Sequence, residues 1–449
     1  MKKIWLWSIV AALAGFLFGF DTVVISGADR TLQDLWNSSD LVHGVVVMSM
    51  ALWGTVLGAI FGGIPTHRWG RKKTLLVIGI LYTISAVGSA LANDPITFSV
   101  FRFLGGLGVG ASTIAAPAYI TEISPKENRG KLVAMYQFNI VLGILVAFLS
   151  NYLLSGIGLN AWRWMLGVEA LPAVIYTFLT LVIPESPRWL LSKNRLGQAE
   201  AVLKMIDAKS NVSEQIQALE ESERTSRSVS IYQRQFRFPL ILAFLIAFFN
   251  QFSGINAFLY YAPRLFEEAG LENNTALLSS IGIGVVNMVF TLLGMFLIDR
   301  LGRKRLMLIG SVGYLVSLSL AACAFLFKWD GTVVPPFLFL FIASHAIGQG
   351  TVIWVFISEI FPTQVRASGQ SFGSSVHWVL AAVIPSLIPS LFSSIGPGTV
   401  FLFFDAMMLL QLLFVILLMP ETKGKSLETI TASFNSKIIT DKISKPAIK

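Results

Sequence analysis

Apolar stretches of about 20 residues, each long enough to cross a lipid bilayer as a single helix, recur from one end of this 449-residue chain to the other. That feature excludes most folds. A backbone in hydrocarbon must satisfy its own hydrogen bonds, which leaves helices and closed barrels. Barrel strands would instead alternate over about 10 residues. The stretches fall at 5–28, 43–66, 74–92, 97–121, 130–154 and 162–183, and again at 237–262, 276–298, 305–327, 334–360, 367–391 and 398–419. The sequence therefore predicts an all-α membrane protein of twelve transmembrane helices. Only 13% of residues are charged, about half the share usual in a soluble domain.

The net charge of +9 could suggest nucleic acid or acidic partners, but its placement argues otherwise. "HRWGRKK" (67–73), "KENRGK" (126–131) and "DRLGRKR" (299–305) all fall on one side of the predicted bundle, while the opposite loops hold only Arg30, Arg264 and Lys328. By the positive-inside rule the basic side is cytoplasmic. Both termini and the 184–236 segment are then expected inside a cell (inner) membrane, and the surplus charge reports topology and contact with anionic lipid. The start, "MKKIWLWSIVAALAGFLFG", has the look of a signal peptide. It is read as a retained first helix, because Asp21 follows it at once and would have no purpose in a discarded leader. Cys323, the sole cysteine, lies in an apolar span, where packing is its expected role.

The chain is written twice. "TEISPKENRG" (121–130) matches "SEIFPTQVRA" (358–367) at an offset of 237, "HRWGRKK" matches "DRLGRKR" at 232, and "PESPRW" (184–189) echoes "PETKGK" (420–425) at 236. Two related six-helix halves follow, 1–183 and 237–419, joined by a linker at 184–236 and followed by a tail at 420–449. Such repeats are typical of secondary transporters, whose site lies near the midplane between the halves. The same offset places Asp21 over Asn256, so the first helix of each half carries a polar side chain at an equivalent depth. "GQAEAVLKMIDA" (197–208) predicts short amphipathic helices in the linker. "GGLGVG" (105–110) lies inside a membrane helix and lacks the preceding strand of a nucleotide site. Close helix packing is its expected use, as for Gly54, Gly58 and Gly62, four apart on one face.

"GFDTVVISGA", "RFLGGLGVG", "PAYITEISPKENRGKL", "PESPRWLL", "NQFSGINAFLYYAP", "DRLGRK", "SEIFPTQVRA" and "PETKGKSLE" run in this order between residues 15 and 428. In these motifs the chain resembles the sugar porters of the major facilitator superfamily, a group of proton-driven symporters and passive facilitators. The resemblance implies a membrane transporter and no enzyme, with no cofactor and no metal. Its partners would be a small neutral sugar, protons and the lipid bilayer, with a single chain sufficient for transport.

The resemblance also implies roles for residues. Arg71, Glu122, Arg129 and Glu185 in the first half, with Asp299, Arg303, Glu359, Arg366 and Glu421 in the second, would form salt bridges that close the cytoplasmic end. His67 stands where relatives have aspartate, which puts the first-half copy in question. Phe18, Gln137, Asn250, Gln251, Asn256, Tyr260, Asn287, Trp354 and His377 match positions that line the sugar cavity. The chemistry fits, because a sugar needs amides that donate and accept, plus an aromatic face. In "QFSGIN" the glycine would let the helix break and turn Gln251 and Asn256 inward. Asn250 is one methylene shorter than the family glutamine, and "GQGTVIW" lacks the usual prolines before Trp354. His377 could bind a hydroxyl, carry protons or pack; hydroxyl binding is preferred. His345 and Asp405 match no family role and are read as helix–helix contacts.

A charge in mid-membrane costs roughly 2.5–3.5 kcal/mol on insertion scales, so Asp21 calls for a function. The resemblance pairs it with Arg102 as a proton-coupling couple. Beside Arg102 the carboxylate stays ionised; with the arginine withdrawn, desolvation favours the neutral acid, which takes up a proton. A passive uniporter, in which Asp21 is structural, is the alternative. A sugar receptor on the same scaffold is less favoured, since the tail after "PETKGK" is short. No zinc-ligand spacing, nucleophile elbow or P-loop points to an enzyme.

Overall fold

The computed structural model describes residues 2–125, 128–206, 216, 230–362 and 364–424. Lys126 and Glu127 of the basic loop, most of the linker beyond Ile206 and the tail from residue 425 lie outside the described residues. Eleven helices are long and apolar enough to cross a membrane, and a pair bent by 41°, Asp40–Met48 with Met50–Phe61, completes the twelve.

In the first half, the first span (Lys2–Val24) packs along the fifth (Arg129–Leu154), and the fourth (Pro95–Ile123) is gripped by the second and by the third (Arg71–Leu91). In the second half, the seventh span (Arg237–Phe252, Ile255–Tyr260 and Ala262–Glu268) lies on the eleventh (Arg366–Ile395). The ninth (Arg303–Leu326) lies on the twelfth (Pro397–Leu417). The halves meet where the second span touches the eleventh and the fifth touches the eighth (Asn273–Leu301). The sixth span is Ala161–Gly167 with Ala170–Val182, and the tenth runs from Val334 to Ile360. Local chemistry sets several ends: Asp94 caps the fourth span by accepting from Ile96 and Thr97 at 3.0 and 2.9 Å, with Pro95 as the first helical residue.

Two helices are re-aimed by one-turn π segments, His43–Met48 in the second span and Ala346–Gly350 in the tenth. A π turn inserts one extra residue and rotates everything beyond it. The Ala346–Gly350 segment falls just before Trp354, where the sequence lacks the usual prolines. Linker helix Leu196–Ile206 buries Ala199, Val202 and Leu203, the apolar face expected of it, and Trp189 and Leu190 share the same small core.

The glycine ladder of the second span packs as its spacing predicts. A Cβ added at Gly58 would run into the Leu107 backbone carbonyl of the fourth span, with Gly110 Cα only 3.0 Å away, whereas one added at Gly63 would meet nothing within 4 Å. Overpacking a tight contact costs about 1–3 kcal/mol. Gly58→Leu should therefore lower the thermal unfolding midpoint of the detergent-purified protein clearly, with Gly63→Leu close to wild type.

Candidate functional site

The centre of the bundle is organised by a break in the seventh span. Gly254 holds φ at 86°, a left-handed conformation that costs a residue with a Cβ but not glycine. The helix stops at Phe252 and restarts at Ile255. Gln251 and Asn256 thereby meet across the break, Asn256 Nδ2 donating to Gln251 Oε1 at 2.8 Å. Gln251 Nε2 donates to Asn250 Oδ1 at 3.0 Å and lies 3.2 Å from His377 Nδ1. Trp354 and Trp378 flank His377 edge-on, each with its ring centre 5.0 Å away, and Phe18 of the first half stacks obliquely on Trp378 at 5.6 Å. Amides with an adjoining aromatic wall suit a polyhydroxylated ring.

The structure thus brings Phe18, Asn250, Gln251, Asn256, Trp354 and His377 together. Gln137 is half-buried on the fifth span, and Asn287, buried on the eighth, accepts from Thr291 at 3.4 Å. Neither bonds to the seventh-span amides. Tyr260 is buried on the segment that packs against the first span, within electrostatic reach of Arg102 and Asp21. His345 meets Tyr314 Oη at 2.6 Å and Asp405 accepts from Ser319 at 2.7 Å, the helix–helix contacts expected of them.

Asp21 and Arg102 form a buried ion pair, Arg102 Nη1 to Asp21 Oδ1 at 2.5 Å, and Nη2 also donates to the Asp21 carbonyl at 2.9 Å. A third member joins them that the sequence reading missed. Glu169 of the sixth span, 1% exposed, interacts electrostatically with both Asp21 and Arg102, and its Oε1 has no hydrogen-bond partner among the described residues. Two carboxyls against one guanidinium balance in charge when one proton is held. The signal was available: Glu169 is an acid inside an apolar span, as Asp21 is.

At the basic end each half carries the same clasp. Arg71 Nη2 pairs with Glu122 at 2.7 Å, and Arg303 Nη2 pairs with Glu359 at 2.7 Å. Glu185 accepts the Arg71 and Lys72 amides at 2.9 and 3.1 Å; Glu421 accepts those of Arg303 and Lys304 at 2.9 and 3.0 Å. Glu185 thus caps the positive end of the third span and Glu421 that of the ninth. Asp299 adds a 3.4 Å contact to Arg303, which His67, exposed, does not supply to Arg71. The first-half clasp nonetheless forms, because Glu122 and Glu185 suffice, and this corrects the expectation that His67 endangers it. Arg129 is exposed and enters no ion pair among the described residues. Arg366 is half-buried at the start of the eleventh span. Each clasp lies within one half.

At the opposite end the halves are tied directly. Arg30 meets Glu267 at 2.5 Å and Glu268 at 2.7 Å, and buried Arg264 reaches Asp29 at 3.6 Å, Asp40 at 3.8 Å and Gln33 at 2.9 Å. His43, turned inward by its π segment, bonds Asp29 at 2.6 Å.

Two pseudo-symmetric six-helix halves around a polar centre define a transporter of the major facilitator fold. The chain belongs to the sugar transporter family: the family model described as "Sugar (and other) transporter" matches residues 7–434. It is 35% identical to the arabinose-proton symporter of Bacillus subtilis over 94% of this chain and 93% of that one. To the D-xylose-proton symporter of Escherichia coli it is 32% identical, over 95% and 94%. The inward-open structure of the E. coli xylose transporter XylE superposes with a TM-score of 0.85 at 31% identity, covering 96% of this chain and 99% of that one. The form bound to 6-bromo-6-deoxy-D-glucose gives 0.78, covering 96% and 99%.

The two clasp carboxylates differ in environment. Burial pushes Glu185 above the usual glutamate value despite the amides of Ser186, Lys72 and Arg71. For Glu421 burial is outweighed by the amides of Lys423, Arg303, Lys304 and Thr422, which hold it below that value. A depressed carboxyl contributes stability above its unfolded pKa and loses it as pH falls through the folded one. Glu421→Gln should therefore lower the unfolding midpoint at pH 7, the gap to wild type closing as pH drops below about 4. Glu185→Gln should cost less at pH 7.

Proposed function

We propose that this protein is a proton-coupled symporter that imports a neutral monosaccharide by alternating access. The observation that carries the reading is the buried Asp21–Arg102–Glu169 group, placed beside a site of amides and aromatics that can hold a sugar. The named relatives support it, since they carry arabinose or xylose with protons. A hexose or pentose such as glucose, xylose or galactose fits the same chemistry.

In this reading 1–183 and 237–419 rock as units about the site, and 184–236 links them. The basic end faces the cytoplasm of a cell-membrane protein, with both termini inside, and one chain in the lipid bilayer suffices. The clasps at Arg71 and Arg303 serve as the cytoplasmic gate. Arg102 pairs with Asp21 inside the first half; a shift of the first span against the fourth, accompanying the rocking, loosens that contact and lets Asp21 accept a proton, so protonation and rearrangement are linked. Asn250, Gln251, Asn256 and His377 bond the hydroxyls while Trp354 and Phe18 cover the ring face, with Gln137, Tyr260 and Asn287 completing the cavity.

Labelled glucose, xylose, galactose and arabinose should be offered to proteoliposomes with and without an inward proton gradient. Accumulation above the external level, only with the gradient, is the expected result; equilibration regardless of it would make the protein a uniporter. Asp21→Asn should lose accumulation and fall to equilibration while sugar counterflow persists. Undiminished accumulation in that variant would remove Asp21 from the coupling.

A further inference from the structure

The binding amides do not end at the seventh span. Asn250, Gln251, Gln349, Gln411 and Ser311 are all at most 2% exposed, on the spans of the second half-bundle. Buried amides need partners, and here the partners form one chain. Asn256 Nδ2 donates to Gln251 Oε1 at 2.8 Å, Gln251 Nε2 to Asn250 Oδ1 at 3.0 Å, and Asn250 Nδ2 to Gln349 Oε1 at 3.4 Å. Gln349 Nε2 donates to Gln411 Oε1 at 2.8 Å and Gln411 Nε2 to Ser311 Oγ at 2.8 Å. Ser311 Oγ closes the chain on the Met307 carbonyl at 2.7 Å.

Every step runs in the same direction. Bonds aligned in this way polarise and strengthen one another. The far end is a carbonyl, which only accepts, so Ser311 donates to it and turns a lone pair to the Gln411 amide. That leaves the Gln411 oxygen for Gln349, and the same logic passes along to Asn256. Reversal would need every amide to flip together and would give up the Ser311–Met307 bond. The backbone is shaped for the chain: the π segment Ala346–Gly350 carries Gln349 inward. Gly310 and Gly348 let the ninth and tenth spans close, a Cβ at Gly310 lying 2.9 Å from Gly348 Cα.

We infer that Gln349 and Gln411 are positioning residues that set which end of each sugar-binding amide faces the substrate, and so make the site demand a hydroxyl that donates. The inference rests on the sugar reading of the site. With the Gln251 oxygen taken by Asn256 and its amide by Asn250 and His377, Asn256 Oδ1 is the acceptor left at the half-exposed end. A ligand hydroxyl can donate to it; a fluorine or an ether oxygen in that position can only accept. Sites that bond a hydroxyl in this way reject analogues that cannot, because the buried group is left unpaired.

The test uses the full-length protein in proteoliposomes. Its transported sugar competes against the series of monodeoxyfluoro analogues, each with one hydroxyl replaced by fluorine. In wild type one analogue should bind at least about tenfold more weakly than the parent sugar, a discrimination of the size one lost hydrogen bond gives. In Gln411→Leu that ratio should fall to about threefold or less, the loss appearing in the KM of the parent sugar and not in maximal exchange. Gln411→Glu, kept neutral by burial, presents a carbonyl and an O–H in place of the amide and should restore the wild-type ratio. Ser311→Ala removes only the anchor and should relax the ratio part of the way, which gives a second readout if the leucine variant fails to fold. A wild type that transports sugar while Gln411→Leu or Ser311→Ala keeps its full discrimination overturns the inference alone. A wild type that binds no monosaccharide overturns the sugar reading and the inference with it.

Discussion

Hydrocarbon offers a polar group nothing to bond to, and the arrangement of this protein follows from that. Each backbone closes its bonds within its own helix, so the polar side chains left inside must find one another. They do so in separate groups. The Asp21–Arg102–Glu169 cluster sits in the first half, and the amide chain from Asn256 to Ser311 in the second. The two groups approach through Tyr260, whose segment packs on the first span. A charged group and an amide group are thus lodged in different halves, yet lie close to one another.

The repeat is kept most closely where it has least to do with substrate. The clasps at Arg71 and Arg303 match down to the backbone amides each glutamate accepts, and down to the carbonyls that Lys72 and Lys304 reach, Leu181 and Ile416. The centre has diverged. Asp21 and Asn256 occupy equivalent places, but one lies in a continuous helix and the other beyond a broken one. The symmetry of the repeat is thus kept at the clasps and lost at the polar centre.

What could be read from the sequence was whatever has a local cause. Span positions come from hydropathy, and the break at Gly254 from a glycine flanked by amides. The pairing of Asp21 with Arg102 comes from the family motif. Glu169 escaped because it belongs to no motif, although its burial cost marks it as surely as that of Asp21. Gln349 and Gln411 escaped for a different reason. They lie 62 residues apart, and only the extra residue of a π turn points one at the other. The same holds for His43 and Asp29, whose contact needs the second π segment. Insertions of a single residue into a helix leave hydropathy unchanged while rotating every side chain beyond them.

The charges at the two ends of the bundle then explain which way it is closed. Among the described residues, ion pairs cross between halves only at the end away from the basic loops, through Arg30, Asp29, Asp40, Arg264, Glu267 and Glu268. At the basic end both clasps stay inside their own half. The TM-score of 0.85 to the inward-open XylE structure agrees with that pattern. Partly exposed pairs such as Arg30 with Glu268 are individually weak, about 0–1 kcal/mol, so they can part and rehydrate at little cost. Arg264 and Asp29 are buried, and separating them without water would be expensive. The contact between the halves at that end is therefore uneven: the Arg264–Asp29 pair is its costly core, and the exposed Arg30 pairs are its readily hydrated edge.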